Sequence, residues 1–85
     1  MKVYIDVYVE FRPEGLMLPR VIIWEDGLRY KIDRVKAIKT GETFKGNREG
    51  DRYTVIVRGQ ERYLFYEHID DGFGTGRWYI EREAS

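Results

Sequence analysis

The chain has 85 residues, equal numbers of cationic and anionic side chains, one histidine and no cysteine. This length suits one domain, and the composition excludes disulfides and thiolate metal sites and argues against a histidine-based metal site or a bound cofactor. Zero formal net charge gives no overall reason to expect binding to nucleic acid or to an anionic membrane. No apolar run is long enough for a secretion signal or a membrane span, so we expect a cytoplasmic protein.

The first predicted element is a strand over residues 3–11. Apolar and polar residues alternate along it, which is the period of a half-buried strand. The predicted core face consists of Val3, Ile5, Val7, Val9 and Phe11. The opposite face carries Tyr4 and Tyr8. Residues 12–19, which contain two prolines and a glycine, are predicted to form a loop.

Residues 21–35 predict a β-hairpin that turns at Glu25-Asp26-Gly27, because Asp-Gly between apolar runs is a strong hairpin signal. A two-residue turn would pair Trp24 with Arg29, and a three-residue turn with a glycine bulge would pair Trp24 with Leu28. We expect the three-residue turn because it buries the indole, which has the larger apolar surface. One face of the hairpin then carries Ile22, Trp24, Leu28, Tyr30 and Ile32, and the other carries Arg29 and Lys31.

The alternation changes phase at Asp33-Arg34, since apolar residues occupy positions 28, 30 and 32 and then 35 and 37. A β-bulge produces such a shift and bends the strand, so the chain can cross from one sheet to another. The alternative is that one strand ends near Asp33 and another begins.

Two further strands and a closing strand are predicted beyond a polar connection over residues 40–50. They cover residues 51–58, 61–68 and 77–82, with a tight turn at Gly59-Gln60 and a loop over 70–76. In the last strand Trp78 and Ile80 are expected to point inward and Tyr79 and Glu81 outward. A brief helical turn within residues 40–50 is an open alternative.

These elements predict an all-β protein: a small antiparallel six-stranded meander curled into a partly open barrel. Curling removes exposed sheet edges, which otherwise invite aggregation. SH3-like and OB-like barrels both suit this length, and the sequence leaves the choice between them open. We expect one domain over residues 1–82 and a disordered tail over 83–85. The predicted core contains Ile22, Trp24, Tyr30, Ile32, Val55 and Trp78.

Two motifs carry a family resemblance. The run W-E-D-G-L-R-Y-K-I-D-R-V (24–35) and the closing G-R-W-Y-I-E-R (76–82) resemble an uncharacterised family of small bacterial β-domains. Members have a Trp, a glycine-containing turn and a Tyr, and end in a Trp-aromatic-Glu-Arg strand. The resemblance implies a fold type and a bacterial origin, and it implies no site residues.

A basic stripe is the first candidate site. Residues 29–39 hold five cations and one acid, and four of the cations are expected to point outward: Arg29, Lys31, Arg34 and Lys36. Such side chains hold phosphates, and Phe44, Lys45 and Arg48 in the following loop would add a stacking group and charge for nucleic acid. The alternative is a solvated face paired with acids on neighbouring strands.

An outer tyrosine face is the second candidate site. Tyr4 and Tyr8 share the polar face of the first strand, and Tyr79 lies on the polar face of the last. If these strands are neighbours, the three rings form a patch suited to a protein partner or to a homodimer, because tyrosine is enriched at interfaces. The alternative is cross-strand packing that stiffens the sheet.

No motif predicts catalysis. The run D-D-G-F-G-T-G (70–76) leads into a strand, whereas a phosphate-binding glycine loop opens a helix. His68 has no cysteine to activate, and the sole serine is Ser85 in the tail, so nucleophilic catalysis is not expected. We therefore predict a non-enzymatic protein-interaction or self-association module. The alternative function is nucleic-acid binding by residues 29–39 and the loop 40–50.

Overall fold

The computed structural model describes residues 1–41, 50–69 and 76–82, which form an all-β structure. The strands are β1 (Lys2–Phe11), β2 (Met17–Ile23), β3 (Arg29–Lys31), β4 (Arg34–Thr40), β5 (Gly50–Val57), β6 (Gln60–His68) and β7 (Gly76–Glu81). Within the described ranges no helix has the length and apolar character needed to cross a membrane. The predicted helical turn in 40–50 and the predicted tail at 83–85 fall largely or wholly outside these residues.

The strands form one antiparallel sheet in the order β3-β2-β1-β7-β6-β5-β4, which curls into a half-barrel. A crossing in the chain joins the two ends of this sheet. The Ile32 amide donates to the Arg20 carbonyl on β2, and the next amide, that of Asp33, donates to the Ile56 carbonyl on β5. The predicted change of phase at Asp33 is therefore the point where the chain leaves β2 and joins β5.

The hairpin register is the predicted one. Ile22 pairs with Tyr30, and Ile23 pairs with Arg29. The Trp24 amide donates to the Leu28 carbonyl over 2.8 Å, and Gly27 closes the turn with φ of 84°. That positive φ suits glycine, because a side chain there would be strained.

The seven observed strands exceed the predicted six because the second hairpin strand divides at Ile32-Asp33 into β3 and β4. The second strand also begins earlier than predicted, at Met17, and it includes Pro19. Proline lacks an N–H, and the pairing of β1 with β2 shifts register between Tyr8 and Val9, where Pro19 lies. A register shift is a position where a sheet accommodates proline.

The core fills the concave side of the half-barrel. All six predicted core residues lie there, with Ile22, Ile32, Val55 and Trp78 buried and Trp24 and Tyr30 partly buried. Leu64 and Tyr53 are also buried in this cluster. The Tyr53 ring lies 5.0 Å from Trp78, and its hydroxyl, on β5, donates to the Met17 carbonyl on β2.

Two predicted side-chain positions are wrong. Phe11 and Leu28 were expected inside but are 71% and 57% exposed, because each lies at the end of a hairpin, beyond the curved core. Tyr79 lies on the outward face, as predicted, but neighbouring side chains cover it and it is 0% exposed. The tight turn predicted at Gly59-Gln60 consists of Arg58 and Gly59, and Gln60 already belongs to β6.

Candidate interaction surface

The outer patch lies on the convex face of β1, β2 and β3. Its members are Asp6, Tyr8, Val21, Ile23, Arg29 and Lys31. They lie opposite the core because Val7, between Asp6 and Tyr8, pairs with the buried Ile22. Two rows cross the three strands. One row runs from Asp6 through Ile23 to Arg29, and the other runs from Tyr8 through Val21 to Lys31.

Tyr8 and Arg29 contact each other within this patch. The Arg29 guanidinium lies 5.4 Å from the centre of the Tyr8 ring and donates to its hydroxyl over 3.4 Å. Tyr8 remains 49% exposed, so the ring still offers a free surface. Asp6 and Lys31 are exposed, and neither makes an ion pair with a described residue.

Tyr4 stands beside the patch in a network around Glu67. The Glu67 carboxylate accepts hydrogen bonds from Lys2 Nζ at 2.8 Å, the Tyr4 hydroxyl at 2.9 Å and Arg77 Nη2 at 2.9 Å. The bond from Lys2, helped by those from Tyr4 and Arg77, lowers the pKa of Glu67 below its ordinary value. This network ties β1, β7 and β6 together and holds Tyr4 in place.

Tyr79 does not join an exposed tyrosine face. Its ring stacks on Phe65 at 5.1 Å and meets Tyr4 edge to face at 5.8 Å, while Lys2 Nζ lies 4.8 Å above it. Tyr79 points to the convex side as predicted, but these neighbours bury it there. The predicted trio is therefore two exposed tyrosines and one buried one.

The basic stripe follows the bent segment. Arg29, Lys31, Arg34 and Lys36 are all exposed, with the first two paired to β2 and the last two alongside β5. Lys36 Nζ lies 2.8 Å from Glu61 Oε1, so one of the four cations has an acidic partner, as the alternative interpretation expected. Phe44, Lys45 and Arg48 lie outside the described residues.

His68 lies at the opposite end of the half-barrel from the hairpin turn. It is exposed, and its Nε2 is 3.3 Å from Asp51 Oδ2. Its ring packs edge-on to Tyr66. Among the described residues no three acidic, histidine or cysteine side chains are grouped as a metal site would require. The residues 70–75 of the glycine-rich run are outside the described part of the chain.

A half-open cavity of about 780 Å³ lies on the concave side, and none of the sequence-based predictions included it. Its apolar wall includes Trp24, Tyr30, Val57 and Ile80, and the polar side chains Arg58, Gln60 and Arg62 stand at its rim. One pattern in the sequence does indicate this cavity, namely the alternation of side chains along β6. Gln60 and Arg62 have the same parity as the buried Leu64, so polar side chains continue the inward face of β6.

Arg58 occupies a strained position in the β5–β6 turn. Its φ is 51° and that of Gly59 is 75°, so both turn residues are left-handed, as in a type I′ hairpin. Asn, Asp or Gly is usual there, and a non-glycine residue in this region costs on the order of 1 kcal/mol or more. The Arg58 guanidinium lies 4.8 Å above the Tyr30 ring at the cavity wall.

No protein-family model, no curated protein and no solved structure matches this chain.

Proposed function

We propose that this protein is a non-enzymatic interaction module that binds a second copy of itself through the outer patch. The order of side chains across three strands supports this. Asp6 on β1, the half-buried Ile23 on β2 and Arg29 on β3 lie in one row. An anionic and a cationic side chain thus lie on either side of the apolar Ile23.

A two-fold axis along β2 makes this row complementary to itself. Rotation about an axis in the contact plane exchanges left and right, so Asp6 of each copy faces Arg29 of the other. Ile23 then meets its own counterpart, which is the usual situation on the axis of an isologous dimer. In the next row Tyr8 faces Lys31, and an ammonium group over a tyrosine ring is attractive.

The composition of the patch favours the same proposal. Tyrosine and arginine are enriched at interfaces and dominate their binding energy. Tyr8 on β1 and Arg29 on β3 contact each other across β2, whose half-buried Val21 and Ile23 supply branched apolar surface. None of these side chains is part of the concave core, so an interface would not compete with folding.

Sedimentation velocity over a concentration series tests the proposal. We expect a reversible dimer whose population rises with concentration and falls in Tyr8→Glu. Tyr63→Glu is the matched control, because Tyr63 is likewise an exposed outer tyrosine at 51% but lies on β6, away from the patch. A monomer at every concentration would overturn the proposal, as would equal weakening by the control.

Nucleic-acid binding is the second candidate function. It is favoured by the continuous exposure of Arg29, Lys31, Arg34 and Lys36, of which Lys36 alone has a described ion-pair partner. Binding to a single-stranded oligonucleotide would weaken with salt by a log–log slope of about −0.7 per phosphate contact. Four contacts give roughly −3, and three, with Lys36 held by Glu61, give roughly −2. No binding of the native protein at low salt rejects this candidate.

For the architecture we propose the plan of the small SH3-like or OB-like barrels, supported by one bent segment, β3 and β4, that pairs with β2 and with β5 and forms both ends of the sheet. Membership of the small bacterial β-domain family and a cytoplasmic location are proposals of the same kind. They rest on the motifs at 24–35 and 76–82 and on the composition.

A further inference from the structure

We propose that the concave cavity binds an amphipathic organic anion: a carboxylate attached to an apolar body. The site is distinct from the outer patch, which lies on the opposite face of the sheet. The inference rests on the distribution of charge around the cavity and on the apolar wall beneath it.

The cavity rim has two cations for which the described residues provide no acidic partner. Arg58 contacts the Tyr30 ring, and Arg62 donates to the neutral Gln60 side chain, while neither forms an ion pair with a described residue. Guanidinium groups hold carboxylates with paired, charge-assisted hydrogen bonds. The rim therefore offers two sites of this kind at one end of a cavity.

Two acids line the cavity within the described part of the chain, and each is paired with a cation outside the lining. Glu61 pairs with Lys36 at 2.8 Å, and Glu81 pairs with the Met1 amino group at 2.6 Å. Their carboxylates are therefore not available to balance Arg58 and Arg62. The charge left at the cavity is positive, which selects an anionic ligand over a neutral or cationic one.

The apolar wall of the cavity indicates that the part of the ligand beyond its anionic head is apolar. Trp24, Tyr30, Val57 and Ile80 are only partly buried, so each keeps surface that an apolar chain would cover. The volume of about 780 Å³ lies within the range of small-molecule sites, roughly 300–1,000 Å³. An apolar body against this wall would place an anionic head at the Arg58 and Arg62 side chains.

The Arg58 conformation supports a binding role. The left-handed position would be less strained with asparagine or glycine, and the arginine there places a guanidinium on the Tyr30 ring. Strained residues occur preferentially at functional sites. The strained residue, Arg58, is thus also one of the two cations that would bind the carboxylate.

The test is a titration of the ¹⁵N-labelled protein with sodium decanoate below its critical micelle concentration, followed by NMR. We expect saturable shifts at the Trp24 indole N–H and at the amides of Arg58, Gly59 and Arg62. Decanol, the uncharged counterpart, should bind with an affinity lower by about tenfold or more, because it lacks the charge-assisted bonds. Decyltrimethylammonium should not displace decanoate.

Two variants separate charge from packing. Arg58→Asn keeps a residue that tolerates the left-handed turn, and Arg62→Gln keeps a long polar side chain. Each should weaken decanoate by about fivefold or more and leave decanol affinity unchanged. Arg20→Gln is the control, because Arg20 is a comparably exposed arginine that pairs with Glu10, outside the cavity lining.

Several results would overturn the proposal. These are equal affinities for decanoate and decanol, an equal loss in Arg20→Gln, shifts confined to the outer patch, or no saturable binding. The variants must retain the native pattern of amide signals. Should Arg58→Asn lose that pattern, Arg62→Gln and the decanol comparison decide the question.

Discussion

Gly76 lies against the Tyr66 side chain so closely that a Cβ on the glycine would stand 2.1 Å from the tyrosine hydroxyl oxygen. Gly76 opens β7 beside β6, and the Tyr66 ring packs 4.9 Å from Trp78 in the core. Gly76 is not among the glycines with a positive φ, so its backbone conformation would tolerate a side chain. The position requires glycine because the Tyr66 side chain occupies the space where a Cβ would lie.

Replacing Gly76 with alanine should therefore destabilise the protein by about 1–3 kcal/mol, the usual cost of overpacking a core. Urea denaturation gives the free energy of unfolding. In a Tyr66→Ala background the same Gly76→Ala change should cost little, because the clashing ring is gone. Equal costs in both backgrounds would contradict the packing explanation.

Truncation of Trp24 to alanine tests the hairpin register. Large aromatic-to-alanine changes in cores cost about 3–5 kcal/mol, and we expect the lower end because the indole is partly exposed. The Arg82 guanidinium, 5.6 Å above the indole, covers part of it. Thermal and urea unfolding measure the loss. Leu28→Ala, at a 57% exposed partner in the same turn, is the control and should change stability little.

The hairpin shows how far the sequence could predict the fold. Asp-Gly selected the turn, burial of Trp24 selected the register, and the phase change at Asp33 marked the crossing between sheet ends. Each of these signals is local and depends on alternation or turn chemistry. The strand count differed only because the crossing interrupts the pairing of one predicted strand.

Tyr79 shows what could not be predicted. Alternation placed it on the convex face correctly, but its burial depends on β1 and β6 being the neighbours of β7. Only that strand order brings Tyr4 and Phe65 against its ring. The cavity could not be predicted for a similar reason. Arg58 and Trp24 are far apart in the sequence and line the same cavity only because the sheet curls.

Glu67 should make stability depend on acid pH. Its folded pKa lies below the ordinary value of 4.5, chiefly because of the bond from Lys2, so its contribution is present above that value and is lost as the pH falls through the folded pKa. Glu67→Gln should flatten the pH dependence of unfolding below about 4.5. Glu61→Gln removes an exposed acid paired with Lys36 and should leave this dependence nearly intact. An unchanged slope in Glu67→Gln would contradict the network's role.

Tyr53 should make the stability of the protein depend on pH in the alkaline range. Burial raises its pKa from 10.0 to about 12, so the folded protein keeps it neutral where the unfolded chain ionises it. Its contribution is complete below pH 10 and is lost as the pH rises toward 12. Tyr53→Phe should lose about 1 kcal/mol at neutral pH, with its bond to Met17, and should resist alkaline unfolding better than the native protein. Unfolding monitored by fluorescence against pH distinguishes the two curves.

In the proposed dimer, two copies meet through the outer patch with Asp6 of one facing Arg29 of the other. Single substitutions Asp6→Arg and Arg29→Asp each place like charges in contact, whereas the double variant restores opposite charges in exchanged positions. Sedimentation velocity of all four proteins at matched concentration is the direct measurement. We expect dimers for the native protein and the double variant and monomers for each single variant. A double variant that stays as monomeric as the singles, or single variants that dimerise like the native protein, would contradict it.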